Sequence, residues 1–168
     1  WRSMDDLWSK IDDELETQAL AVMGAYGDDL AIVAAAADDV FDLDRLDKAG
    51  QLPFVLIRDE DTEEAGGGHG DGMIHVDVSY PYSMIAIAKI HGKREARKAS
   101  KELRRRLLAF IRNMTVYRSL LALRGHDGES VRRIRFQSSG ATLYGRADRD
   151  QGMYFAVAGI RFVIDAAV

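Results

Sequence analysis

The sequence predicts an α+β fold, a mostly antiparallel sheet carrying two long helices on one face. Three observations lead there. Stretches at 7–23 and 93–114 place apolar side chains at three- and four-residue steps, the spacing of an amphipathic helix. Segments at 52–58, 73–80, 131–137 and 153–166 instead alternate apolar and polar residues or form short apolar runs, as strands do. These strands follow one another through short links, with helices at only two points, which favours helices layered on a sheet over repeated βαβ units. A chain of 168 residues is long enough for one hydrophobic core. Neither an internal repeat nor a second core is visible, so 1–168 reads as a single domain.

The first helix is carried by Leu7, Trp8, Ile11, Leu15, Ala19, Val22 and Met23, with Asp12, Asp13, Glu14 and Glu16 largely on the other side. Ser3 or Asp5 can cap it, early Asp residues suit the positive end of its dipole, and Gly24 and Gly27 are stop signals. The alanine-rich run LAIVAAAADDVFDLDRL reads as a connection with a short helix in it. LPFVLIR, behind Pro53, reads as a buried strand. DEDTEEAGGGHGDG, residues 59–72, has no apolar anchor and reads as a flexible glycine-rich, acidic loop.

MIHVDVSY then alternates: Ile74, Val76, Val78 and Tyr80 share one face, with His75, Asp77 and Ser79 on the other. Beyond Pro81, YSMIAIAKIHG continues as one long bent strand or as a hairpin partner. The helix of 93–114 follows, about 30 Å long at 1.5 Å per residue. Ala96, Ala99, Leu103, Leu107, Phe110, Ile111 and Met114 form its apolar stripe, opposite Arg94, Lys98, Lys101, Arg105 and Arg112. VRRIRFQ and MYFAVAGIRFVIDA close the chain as strands, separated by the turn-prone SSGATLYGRADRDQG. In the last strand Tyr154, Ala156, Ala158, Ile160, Phe162 and Ile164 face one way, onto the core.

Charge is distributed unevenly. The chain carries −4 in all, yet residues 1–64 hold 18 acidic against 5 basic side chains, and residues 89–118 hold 11 basic against 2 acidic. Such polarity bears on association more than on fold. No apolar run approaches the ~18 residues of a membrane span. The opening Trp1–Asp6 lacks a secretory pattern, and a start at Trp1 reads as a piece of a longer chain. The absence of cysteine excludes disulfides and thiolate metal sites and fits a reducing compartment.

Candidate chemistry is sparse. GGGHGDG (66–72) lacks the following Lys and helix that a phosphate loop needs, and His69 with Asp71 gives only two metal ligands. His75 and Asp77 share a strand face, but no nucleophile or third group completes a catalytic arrangement with them. His91 and His126 stand alone beside glycines. No catalytic, cofactor-binding or metal-ligating residue is therefore assigned, and no cofactor is expected.

The cationic helix face, Arg94, Lys98, Lys101, Arg105 and Arg112, is the candidate subunit or partner interface. It reads as a plainly solvated face, a protein contact or a nucleic-acid contact. Nucleic-acid binders are generally basic overall or interleave exposed aromatics, and here the stripe's Phe110 points inward. A membrane surface would need bulky exposed apolar residues, so no membrane contact is expected. If copies pack head to tail, the acidic N-terminal part of one can lie on the basic helix of the next. Such an assembly would loosen at high salt.

The order of elements resembles one family. A leading amphipathic helix, VFDL (40–43), LPFVLI, HVDVSY, the helix ARKASKELRRRLLAFI and the closing YFAVAGIRFVIDA together are similar to the tail terminator (tail completion) proteins of long-tailed bacteriophages. The similarity covers about Met4 to Asp165 and rests on patterned segments, with no catalytic motif. It implies a small, non-enzymatic structural virion protein, assembled in the host cytoplasm. It also implies a homohexameric ring at the head-proximal end of the tail tube, halting polymerisation and joining tail to neck. Partners would be further copies of itself, the tail tube protein and the neck or connector proteins, with DNA only passing through the channel. The sequence departs from the family in its long acidic 59–72 loop. A head-closure or neck protein of the same joint, or a nucleic-acid-binding protein using the Arg-rich helix 93–114, are the alternatives.

Overall fold

Two fifteen-residue strands paired along their full length form the middle of the sheet. The computed structural model describes residues 6–24, 31–35, 54–59, 63–64, 76–145 and 152–168. In chain order the elements are α1 (Leu7–Gly24), β1 (Ala31–Ala35), β2 (Phe54–Asp59), β3 (Glu63–Glu64) and β4 (Asp77–His91). After these come α2 (Lys93–Arg112), α3 (Met114–Leu121), β5 (Ser130–Gly145) and β6 (Met153–Ala167). Among the described residues the sheet has six strands, in the order β1-β2-β4-β6-β5 with β3 also on β4. Only the β1–β2 pair is parallel; the others are antiparallel.

The central pair runs in unbroken register from Asp77 opposite Ala167 to His91 opposite Met153. Even-numbered residues of both strands face the helices: Val78, Tyr80, Tyr82, Met84 and Ala86 on β4, and Ala156, Ala158, Ile160, Phe162, Ile164 and Ala166 on β6 are all buried. MIHVDVSY and YSMIAIAKIHG, expected as one long bent strand or as hairpin partners, share one strand, Asp77–His91. Pro81 lies inside it because Ser79 is the last residue paired with β3 and Tyr82 the first paired with β2. Proline's missing donor is tolerated at such a break in the ladder.

Both long helices lie on this one face, as the sequence predicts. Leu7, Ile11, Leu15 and Ala19 of α1 are each no more than 1% exposed. Asp6 caps the helix by accepting from the Ser9 amide at 2.7 Å. The expected caps Ser3 and Asp5, and the stop at Gly27, lie outside the described residues; the helix itself runs through Gly24. On α2, Ala96, Ser100, Leu103, Leu107 and Phe110 are buried, across β4, β6 and β5. Burying each Leu or Phe contributes about 1.5–3 kcal/mol. Gly92 links β4 to α2 with φ 89°, a conformation glycine adopts without a Cβ clash, and donates to the Gly152 carbonyl at 2.7 Å.

Four expectations change. The alanine-rich 31–35 is a strand, not part of a connecting helix, because it pairs in parallel register with β2. Within the 59–72 loop, Asp59 still belongs to β2 and Glu63–Glu64 pairs with β4; the remainder lies outside the described residues. The stretch 138–145, expected as turn, continues β5 in register with β6. The helix expected over 93–114 ends at Arg112, where extended Asn113 interrupts it. Asn113 Oδ1 accepts from the amides of Thr115 at 2.9 Å and Val116 at 3.2 Å, capping α3. Met114 therefore leaves the buried stripe and is 57% exposed.

Candidate functional site

The outward side of α2 is cationic, as its periodicity requires once the apolar stripe is seated on the sheet. Arg94, Lys98, Lys101, Arg105 and Arg112 are all exposed. Two carboxylates sit among them. Glu102 accepts from Arg105 through both Nε (2.9 Å) and an Nη (2.6 Å), and from Arg106 at 3.4 Å. The hydrogen bonds from Arg105, aided by its charge and by Arg106, hold the Glu102 carboxyl down at about 2 against the opposing effect of burial. Glu95 pairs with Lys98 at 3.6 Å, with both side chains largely in water. Exposed pairs of this kind add little to stability. With nine basic and two acidic residues from Lys93 to Arg112, the helix stays strongly positive. Arg104 Nε donates to Ser139 Oγ at 2.8 Å, tying this face to β5.

Beside the cationic face is a groove that sequence reading did not find. It occupies about 400 Å³ where the end of α2, α3 and β5 meet, and its walls are Leu108, Ile111, Met114, Tyr117, Ile134 and Phe136, with Arg112 at the edge. Two of these side chains are unusually exposed for their size, Met114 at 57% and Phe136 at 50%. Phe136 lies opposite the buried Phe162 on the helix side of the sheet. A register shift between Phe136 and Ser138 follows it. The available signals were Asn113, a strong helix cap, and Phe136 in alternation with Ile134; neither element alone indicates a groove.

On the face of the sheet away from the helices, Asp165 gathers three donors. Arg133 Nε approaches at 2.6 Å, Arg135 at 2.7 and 3.0 Å, and Ser79 Oγ at 2.7 Å. Burial pushes the Asp165 carboxyl up, but the bonds from Arg135, Arg133 and Ser79 outweigh it and hold it at about 2. A folded-state value below the ordinary 3.8 means stability that is present above about pH 4 and lost as pH falls towards 2. The Arg side chains are 66% and 43% exposed, so solvent screening keeps the contribution near ~1 kcal/mol, below the raw shift. Asp165→Asn should flatten the acid limb of a stability–pH curve between pH 2 and 4, measured by urea unfolding; an unchanged limb would exclude this cluster as its source.

The other candidate residues are dispersed. Asp77 begins β4, His91 ends it at the surface, and His126 is exposed in a short 3-10 turn (His126–Gly128). His69, Asp71 and His75 lie outside the described residues. Among the described residues, no three His, Asp or Glu side chains group as metal ligands, and no helix is long and apolar enough to cross a membrane. A scan against protein-family models finds no match to this chain, and a search of curated protein sequences finds none. The cationic face of α2 and the adjoining groove are accordingly the site to which a function is attached.

Proposed function

We propose that this chain is a structural virion protein, a tail terminator. Copies form a homohexameric ring at the head-proximal end of a phage tail tube, stop its polymerisation and join it to the neck. The protein works by contact, without catalysis or a cofactor. One observation carries the reading: α2 is held to the sheet by a fully buried stripe while its whole opposite side, from Arg94 to Arg112, is presented outward as a positive surface. The acidic first third of the chain supplies the complementary charge. Complementary patches on one chain set the register between copies. The order of helices and strands, with two helices on one side of a mostly antiparallel sheet, agrees with the family resemblance.

The test is assembly with tubes. Tail tube protein polymerised in the presence of this chain should give short tubes with a ring at one end in negative-stain images. Tubes of unrestricted length without end density would refute the reading. So would tight binding of duplex DNA at low salt with a steep salt dependence, the mark of a phosphate-contacting helix.

A further inference from the structure

The groove is built on β5, one edge of the sheet, with the end of α2 and the start of α3, whereas α1 lies towards β1 and β2 and also packs against α3. The exposed side of α1 is distinctive. Asp13, Glu16, Thr17 and Leu20 follow at three- and four-residue steps, so they form one stripe. Leu20 is 52% exposed, an apolar tip at the end of an acidic row. The groove has the inverse character: apolar walls including Met114 and Phe136, with the exposed cation Arg112 at its edge.

We propose that this groove receives the acidic, Leu20-tipped stripe of α1 from a second copy of this chain. Leu20 would enter between Met114 and Phe136 while Asp13 and Glu16 approach Arg112 and the basic side of α2. Of the four large apolar side chains exposed among the described residues, the three most exposed, Leu20, Met114 and Phe136, fall on these two surfaces; the fourth, Val76, lies before β4. Joining them removes from water the apolar area that a soluble chain otherwise leaves uncovered. The charges that flank them are opposite, which favours this pairing over groove to groove or stripe to stripe. Because the two surfaces differ, the contact is head to tail, and an open chain of copies keeps one free surface of each kind at its ends until a ring closes. The inference rests on the ring reading above and specifies which surfaces make its joints.

The decisive experiment uses two surface variants, Leu20→Asp and Phe136→Asp, with mass measured by light scattering and native mass spectrometry. Each variant should be monomeric where the unaltered chain assembles, a loss of at least about ten-fold in association, since interface truncations at a packed apolar centre commonly exceed 1.4 kcal/mol. Circular dichroism checks that both remain folded. An equimolar mixture is the sharper measurement. Leu20→Asp retains an intact groove and Phe136→Asp an intact stripe, so the mixture should yield a heterodimer that grows no further. Charge exchange gives a second line: Asp13→Arg and Arg112→Glu should each weaken assembly, and together restore part of it.

Variants that assemble like the unaltered chain, or a mixture that stays monomeric, would overturn the inference. If rings form but ignore both substitutions, the joint is elsewhere and the ring reading stands. If the unaltered chain remains monomeric at millimolar concentration, the α1–groove contact is refuted, and the tail-terminator reading is then decided by the tube-capping assay alone.

Discussion

Phe110→Ala should lower the free energy of unfolding by about 3–5 kcal/mol and the melting temperature by roughly 6–20 °C. Phe110 is fully buried in the last turn of α2, within the cluster that includes Leu103, Leu107, Phe162 and Val116. Its ring is held there because the helix crosses three strands and ends immediately afterwards at Asn113. The helix therefore cannot slide to fill the space. An alanine leaves a cavity, and rigid surroundings raise the cost of a cavity. Against a typical total of 5–15 kcal/mol this is a large fraction. Urea unfolding followed by far-ultraviolet circular dichroism measures it, with Arg94→Ala as the control on the same helix. That exposed change should stay within about 0.5 kcal/mol. Comparable losses at the two positions would mean that α2 is not anchored by its apolar stripe, which would remove the basis for the outward cationic face.

The parts of the fold legible in the sequence are those whose periodicity and burial coincide. Leu7, Ile11, Leu15 and Ala19, Leu103, Leu107 and Phe110, and the even-numbered residues of β6 all lie where their spacing places them. The illegible parts are set by partners distant in sequence. Ala31–Ala35 sets three alanines, which favour helix, against strand-favouring Ile32 and Val33, and its pairing along β2 makes it a strand. Ser138–Gly145 has a turn-forming composition and is strand because β6 lies beside it. Asn113 looks like any polar helix residue until its side chain is seen bonded to two amides ahead. The site divides in the same way. The cationic face is visible as charge at helical spacing, whereas the groove arises only when Met114, turned outward at the helix break, joins Phe136, beside a bulge within the edge strand β5.

Tyr82→Phe should cost about 1–3 kcal/mol at neutral pH and remove a stability loss that begins above pH 10. The Tyr82 hydroxyl donates to Asp12 Oδ1 at 2.5 Å, joining the middle strand of the sheet to α1. Its ring stacks on Phe162 with centroids 5.7 Å apart, and phenylalanine keeps that packing, so the substitution isolates the hydroxyl. Without it, Asp12 loses a donor in a half-buried position. Burial first, and then the neighbouring Asp12 charge and hydrogen bond, push the Tyr82 phenol well above its ordinary 10, with Trp8 opposing in part. A raised folded-state value means that the folded chain keeps this proton when the unfolded chain has released it. Its stabilisation is complete below pH 10 and is then lost at up to about 1.4 kcal/mol per pH unit. Urea unfolding of the two proteins from pH 8 to 11 should therefore show curves that converge as pH rises, the variant lacking this component of the alkaline decline. Parallel curves would mean that another group titrates, and that the Tyr82–Asp12 bond does not fasten α1 to the sheet.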